Sequence, residues 1–147
     1  MKILMVCLGN ICRSPLAHGI MQSLIAAAKL DWTVDSAGTG GWHIGEAPDR
    51  RAIAVARRYG VDISSQRAQQ FQPHHLDEYD HILVMDRSNL SHVLAMADTE
   101  EQQSRVQLFL EDDEVPDPYF GDHLFEPVYQ LVAARCEALL QQWRDQA

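Results

Sequence analysis

"KILMVCLGNICRSPLA", residues 2–17, joins an apolar run to an apolar stripe through a short glycine-containing turn. The run "KILMVCL" (2–8) has the composition of a parallel strand buried on both faces. Beyond the turn, Leu16, Ala17, Ile20, Met21, Leu24, Ile25 and Ala28 recur at three- and four-residue steps, which predicts an amphipathic helix. Ser14 suits its N-cap and Pro15 its first helical position. Strand, turn and helix in this order make the first half of a βαβ unit.

The same alternation continues outward. "WTVDSAG" (32–38) reads as a second strand. Residues 48–59 read as a helix opened by Pro48 and closed by Gly60. "HILVMD" (81–86) is a third strand, 87–97 a helix, and "RVQLFL" (105–110) a fourth strand. Phe125, Val128, Tyr129, Val132, Cys136, Leu139, Leu140 and Trp143 set a long stripe on a C-terminal helix. Strands alternating with helices predict an α/β fold: three αβα layers, a twisted parallel sheet of four strands, helices on both faces. The length of 147 residues fits one domain, 1–147.

Bulk properties narrow the function. The formal charge of −9 speaks against a nucleic-acid binder, because phosphate backbones are gripped by net or clustered positive charge. No apolar run reaches the roughly 20 residues of a membrane span, and the N-terminus lacks a secretory pattern, so a cytoplasmic protein is expected. Three cysteines, Cys7, Cys12 and Cys136, suggest thiols rather than a disulfide framework. Cys136 falls on the apolar stripe and is expected in the core. Adjacent His74 and His75 lack further ligand spacing, so no metal is expected there.

In open α/β sheets, ligands bind beyond the carboxyl ends of the strands. Cys7–Arg13, Ser36, Asp86 and the loop "EDDEVPDPYFGD" (111–122) are all expected at that edge. The turn after Cys7 is the informative one. A helix N-terminus offers unpaired N–H groups and about half a positive charge. Gly9 permits positive φ or close approach, and Asn10 tolerates the left-handed region. The turn can therefore curl its amides into an anion nest, with Arg13 adding a planar fork that matches two phosphate oxygens. Cys7 lies at the base of that nest, in a field that favours a thiolate poised to attack phosphorus. Other readings of the turn fail. It has no lysine for a Walker loop, only one glycine of a dinucleotide fingerprint, and Cys7 and Cys12 are spaced too widely for a zinc knuckle.

"VCLGNICRSP" together with "VPDPYFG" resembles the low-molecular-weight protein tyrosine phosphatases. The resemblance extends to "DSAGT" (35–39), "GWHIGEAPDRRA" (41–52) and "MDRSN" (85–89), in the same order and over essentially the whole chain. It implies phosphotyrosine and aryl-phosphate hydrolysis through a phosphocysteine intermediate, without metal or cofactor. Cys7 would attack, Arg13 would bind the phosphate, and Asp117 would serve as general acid and then base. Leu8, Gly9, Asn10, Ile11, Cys12 and Ser14 would complete the phosphate-binding loop. Pro116 and Pro118 stiffen the chain around Asp117, whereas Glu111, Asp112, Asp113 and Glu114 read as a solvated charge run.

Further roles follow the same pattern. Ser14 would hydrogen-bond the Cys7 thiolate, Asn10 would brace the loop, and Ser36 would receive or extend that bracing. Asp86 either anchors the neighbouring loop or simply caps the "DRSN" helix. Trp42 and Tyr119, on loops, would wall a pocket deep enough to favour phosphotyrosine in protein substrates. Where many relatives carry a second tyrosine, this chain has Phe120. Cys12 would act as redox partner of Cys7 through a reversible disulfide. A monomer or weak dimer is expected. Two other readings are an arsenate reductase on the same fold and a non-catalytic phosphate- or phosphopeptide-binding module. The first needs cysteines that the stretch 81–103 lacks, and the second does not need both Cys7 and Asp117.

Overall fold

A computed structural model describes residues 1–146 of the chain. Four strands form one all-parallel sheet: β1 (Lys2–Cys7), β2 (Thr33–Gly38), β3 (His81–Val84) and β4 (Val106–Leu108), in the order β2-β1-β3-β4. The register sets Met5 against Ser36 and Leu83, and Cys7 against Gly38. The first strand is therefore central, which is why its sequence is apolar at successive positions. Its side chains alternate between two cores. Ile3, Met5 and Cys7 join one, while Leu4 and Val6 join the other.

The first core lies under α1 (Arg13–Ala27), α2 (Arg50–Arg58) and α6 (Phe125–Gln146). The second lies under α3 (His75–Glu78) and α4 (Arg87–Leu94). A short α5 (Glu100–Ser104) precedes β4. The three αβα layers expected from the alternation are thus present. At the sheet's far end Trp143 is buried, edge-on to Trp32 at 6.3 Å and stacked on His81 at 4.6 Å. Cys136 is buried in the first core, its thiol donating to the Ala17 carbonyl. Among the described residues no helix is long and apolar enough to cross a membrane.

The boundaries differ from expectation in physically interpretable ways. β1 stops at Cys7 rather than Leu8, β3 at Val84, and β4 covers only 106–108. Ser36 does not leave β2 but lies within it, paired with Met5. Ser14 is not the cap of α1. The helix starts at Arg13, Cys12 occupies the cap position with no side-chain hydrogen bond, and Ser14 turns its hydroxyl to Cys7 instead. α2 is capped by Asp49, one residue after Pro48, through the Arg51 amide. The polar segments holding α3 and α5 gave no apolar periodicity to reveal them.

Candidate active site

The chain between Cys7 and α1 is held from every side. The carbonyls of Cys7, Leu8, Ile11 and Cys12 accept from the amides of Thr39, Gly40, Asp49 and Leu16 respectively. With those carbonyls turned outward, the intervening amides are left to face the inside of the curl. One is visible in that role: the Asn10 amide donates to Cys7 Sγ at 3.3 Å. Cys7 as a whole is 3% exposed, and its sulfur also lies 3.0 Å from Ser14 Oγ.

Asn10, with φ 58°, takes the left-handed conformation of the turn. Gly9 does not; its lack of a side chain serves close approach instead, since a Cβ there would meet the His43 ring at 3.3 Å. The buried Asn10 side chain uses three hydrogen bonds. Nδ2 donates to Ser14 Oγ at 2.8 Å and to Ser36 Oγ at 3.0 Å, while Oδ1 accepts from the Gln69 amide at 3.0 Å. The Gln69 contact fixes which end of the amide faces the serines. Gly38 backs the turn so closely that a Cβ would lie 2.9 Å from the Leu8 carbonyl oxygen.

Arg13 is 3% exposed. Its Nη1 donates to Asp86 Oδ2 at 2.8 Å and to the Val115 carbonyl at 3.0 Å. Both Nη1 hydrogens are then occupied, which leaves the Nη2 edge of the fork for an anion. Burial works against the charge, but Cys7, the Asp86 hydrogen bond and Asp117 outweigh it, and the guanidinium is held even more firmly protonated than usual. Asp86 makes two contacts at once. Its Oδ1 caps α4 through the Asn89 amide while Oδ2 holds Arg13.

Asp117 reaches the same place from the opposite side. Its Oδ2 lies 3.7 Å from Arg13 Nη2, and its Oδ1 accepts from the Tyr119 amide at 3.1 Å, starting a short helical turn. Between them opens a cleft of about 170 Å³, lined at its base by Cys7, Cys12 and Arg13 and at its side by Asp117. Trp42 (70% exposed), Tyr119, Phe120 (88% exposed) and Leu8 form its apolar rim. Glu111, Asp112, Asp113 and Glu114 stay out on the surface, as a solvated charge run should. The structure thus brings together every residue expected in the loop, the acid and the walls.

Several partners receive no role from the sequence. Gln69, the Val115 carbonyl and Gly38 act through the backbone or by proximity, across separations that no local pattern records. Arg51 ties down the acid-bearing segment by donating to the Tyr119 carbonyl and to Asp122, from a helix that Asp49 caps. His18 Nδ1 stands 3.2 Å from Ser36 Oγ. Cys12 is buried beside Cys7, and its thiol is pushed strongly towards the neutral form by burial and then by Asp49. Elsewhere Glu78 brings a third ligand-type group to the adjacent histidines, contrary to the expectation from their spacing: His74, His75 and Glu78 have ligand-type atoms within 4.8 Å of one another, and His75 Nδ1 accepts from the Gln72 amide.

Comparison with known proteins adds an independent line. A family model described as low molecular weight phosphotyrosine protein phosphatase matches residues 2–147. The chain is 40% identical over 146 residues to the low molecular weight protein-tyrosine-phosphatase YfkJ of Bacillus subtilis, covering 95% of this chain and 93% of that one. It superposes on the crystal structure of YfkJ with a TM-score of 0.91 at 38% identity, over 99% of this chain and 96% of that one. It superposes on Vibrio vulnificus Wzb in complex with benzylphosphonate with a TM-score of 0.86 at 33% identity, over 96% and 97% of the two chains.

Proposed function

The chain belongs to the low molecular weight phosphotyrosine protein phosphatase family and is a cysteine-dependent protein tyrosine phosphatase, and we propose that Cys7, Arg13 and Asp117 carry its reaction. The observation that supports this assignment is their convergence on one cleft: a recessed sulfur, a guanidinium fork with one edge open, and a carboxyl 3.7 Å from that fork. Arg13 Nη2 and the inward amides of the loop grip the phosphoryl oxygens and stabilise the charge that builds in the transition state. The Cys7 thiolate attacks phosphorus in line as the bond to the phenolic oxygen breaks. Asp117 gives its proton to that leaving oxygen. Asp117, now a carboxylate, takes a proton from the water that attacks the phosphocysteine. The S–P bond breaks, inorganic phosphate leaves, and Cys7 returns as thiolate. Ser14, which hydrogen-bonds the sulfur, eases that departure.

The benzylphosphonate bound by the related Wzb is an aryl analogue that fits the same reading of this cleft. Trp42, Tyr119, Phe120 and Leu8 flank the aromatic ring of phosphotyrosine, and the recessed sulfur sets the depth that a shorter phosphoserine cannot span. Phosphoproteins, not nucleic acids, are the substrates of this acidic molecule, which works in the cytoplasm as a monomer or weak dimer.

Hydrolysis of p-nitrophenyl phosphate against pH, with and without chelator, tests the assignment in the parent, Cys7→Ser and Asp117→Asn. Cys7→Ser should be inactive, and the chelator should change nothing. Asp117→Asn should lose about 10²–10⁴-fold in rate and its high-pH limb should flatten. Turnover by Cys7→Ser would overturn the mechanism, and an unaltered Asp117→Asn profile would move the acid elsewhere in 111–122.

Cys12 guards the nucleophile. Peroxide oxidises the Cys7 thiolate to a sulfenic acid, and the Cys12 thiol condenses with it to a disulfide, releasing water. Cys12→Ser should recover less activity than the parent after peroxide and then thiol reductant; equal recovery would remove this role.

A further inference from the structure

The hydrogen bonds that reach Cys7 do not stop at Ser36. Ser36 Oγ lies 3.2 Å from His18 Nδ1, and His18 stands one helical turn after Ser14 on α1, its side chain 12% exposed. Counting hydrogens gives each bond a direction. The Asn10 amide has two, and it spends them on Ser14 and Ser36. The Gln69 amide, donating to Asn10 Oδ1, prevents the side chain from turning over. Each serine oxygen therefore accepts from Asn10 and keeps one hydrogen to give. Ser14 has Cys7 Sγ at 3.0 Å to receive its hydrogen. Ser36, itself buried, has the His18 ring nitrogen.

That last step needs a neutral ring with its hydrogen on Nε2. Burial lowers the His18 pKa below its ordinary 6.5, and Asp35 of β2, whose carboxylate lies 3.9 Å away, opposes this only in part. The neutral imidazole is thus the form present at neutral pH, with its Nδ1 lone pair available to Ser36. A hydroxyl that donates is also a better acceptor, so the bond from Ser36 to His18 strengthens the hold of Ser36 on Asn10.

We propose that His18 is a positioning residue for the reaction: as the terminal acceptor of the branch Asn10–Ser36–His18, it takes the Ser36 hydrogen and so steadies the Asn10 side chain, whose other hydrogen holds Ser14 as donor to the sulfur. The proposal rests on Cys7 being the nucleophile. His18 touches neither sulfur nor substrate and acts only through Ser36. Any side chain that fills its place without an acceptor leaves the Ser36 hydrogen unpaired in a buried site, and the hold on Asn10, and through it on Ser14, loosens.

A double-mutant cycle tests this. Kinetic constants on p-nitrophenyl phosphate, and phosphate-protectable alkylation by iodoacetate against pH, are measured for the parent, His18→Leu and His18→Asn. Both substitutions are repeated on a Ser36→Ala background. His18→Leu should lower kcat by about two- to tenfold, the worth of one hydrogen bond, with KM within about twofold. Its alkylation profile should move to higher pH. His18→Asn, whose carbonyl falls near the position of Nδ1, should recover most of the loss. On the Ser36→Ala background, His18→Leu should have no further effect. Parent-like kcat and alkylation in His18→Leu would overturn the proposal, as would an equal loss on the Ser36→Ala background or a failure of His18→Asn to rescue. Should His18→Leu not fold by circular dichroism, His18→Phe takes its place in the cycle. Turnover by Cys7→Ser would instead remove the catalytic reading beneath it, so the two failures are distinguishable.

Discussion

The loop of residues 7–14 and the segment 111–122 supply opposite halves of the cleft, and they are built in opposite ways. In the first, four carbonyls are fixed to neighbouring backbone and one asparagine side chain makes three hydrogen bonds. Cys7, Asn10, Arg13 and Ser14 are all buried. In the second, charged side chains face water, and the part around Asp117 is tethered mainly by Arg51. The contrast matches the work asked of each. A group that stabilises developing charge must be in place beforehand, because reorganising dipoles during the reaction costs energy. A general acid must instead exchange its proton with water once per cycle, so Asp117 is only half-buried.

This contrast is broken most strongly at Arg13. Arg13→Lys keeps the charge but cannot bond Asp86, Val115 and an anion at once. A fall in kcat/KM of about 10²–10³-fold is expected, while Glu111→Gln in the other region should stay within about twofold. Comparable losses in the two would erase the distinction.

Asn10 should come next. Asn10→Ala removes three hydrogen bonds and leaves a left-handed residue without its local support. Unfolding in urea should show a loss of about 2–4 kcal/mol, the sum expected from unpaired buried partners. A change under about 0.5 kcal/mol would show that the loop is held without it.

The smallest effect concerns pH. Burial lowers the pKa of His18, His75 and His81 from 6.5. Below pH 6.5 the unfolded chain takes up protons that the folded chain resists, so the unfolded state binds more protons and stability drops as the pH is lowered. The loss begins near pH 6.5 and ends where the folded histidines titrate. The urea midpoint should be lower at pH 5.5 than at pH 7.5; an equal or higher midpoint at pH 5.5 would contradict the burial of these rings.

The sequence made the strands and the loop legible for a simple reason. Burial on both faces of a central strand demands continuous apolar residues, and a phosphate nest demands Gly9, Asn10 and Arg13 within a few positions. It misled at Ser14, because a serine before a helix serves as cap in most proteins, whereas here the nearby sulfur competes for its hydroxyl. It assigned no role to Gln69 and Val115, whose contributions are a backbone amide and a backbone carbonyl that any residue type supplies. It was equally silent on His18, which reads as one polar position on an amphipathic helix until β2 is laid beside it.

What the sequence determined by itself was therefore the set of chemical parts: thiol, fork, acid and the order of strands and helices that carries them. What only the tertiary structure decided was which parts touch. Arg13 finds Asp86 across 73 residues and Val115 across 102 because parallel pairing brings the carboxyl ends of β1, β3 and β4 to one edge. Contacts of that range follow from the closure of the whole sheet, and no local pattern of residues encodes them.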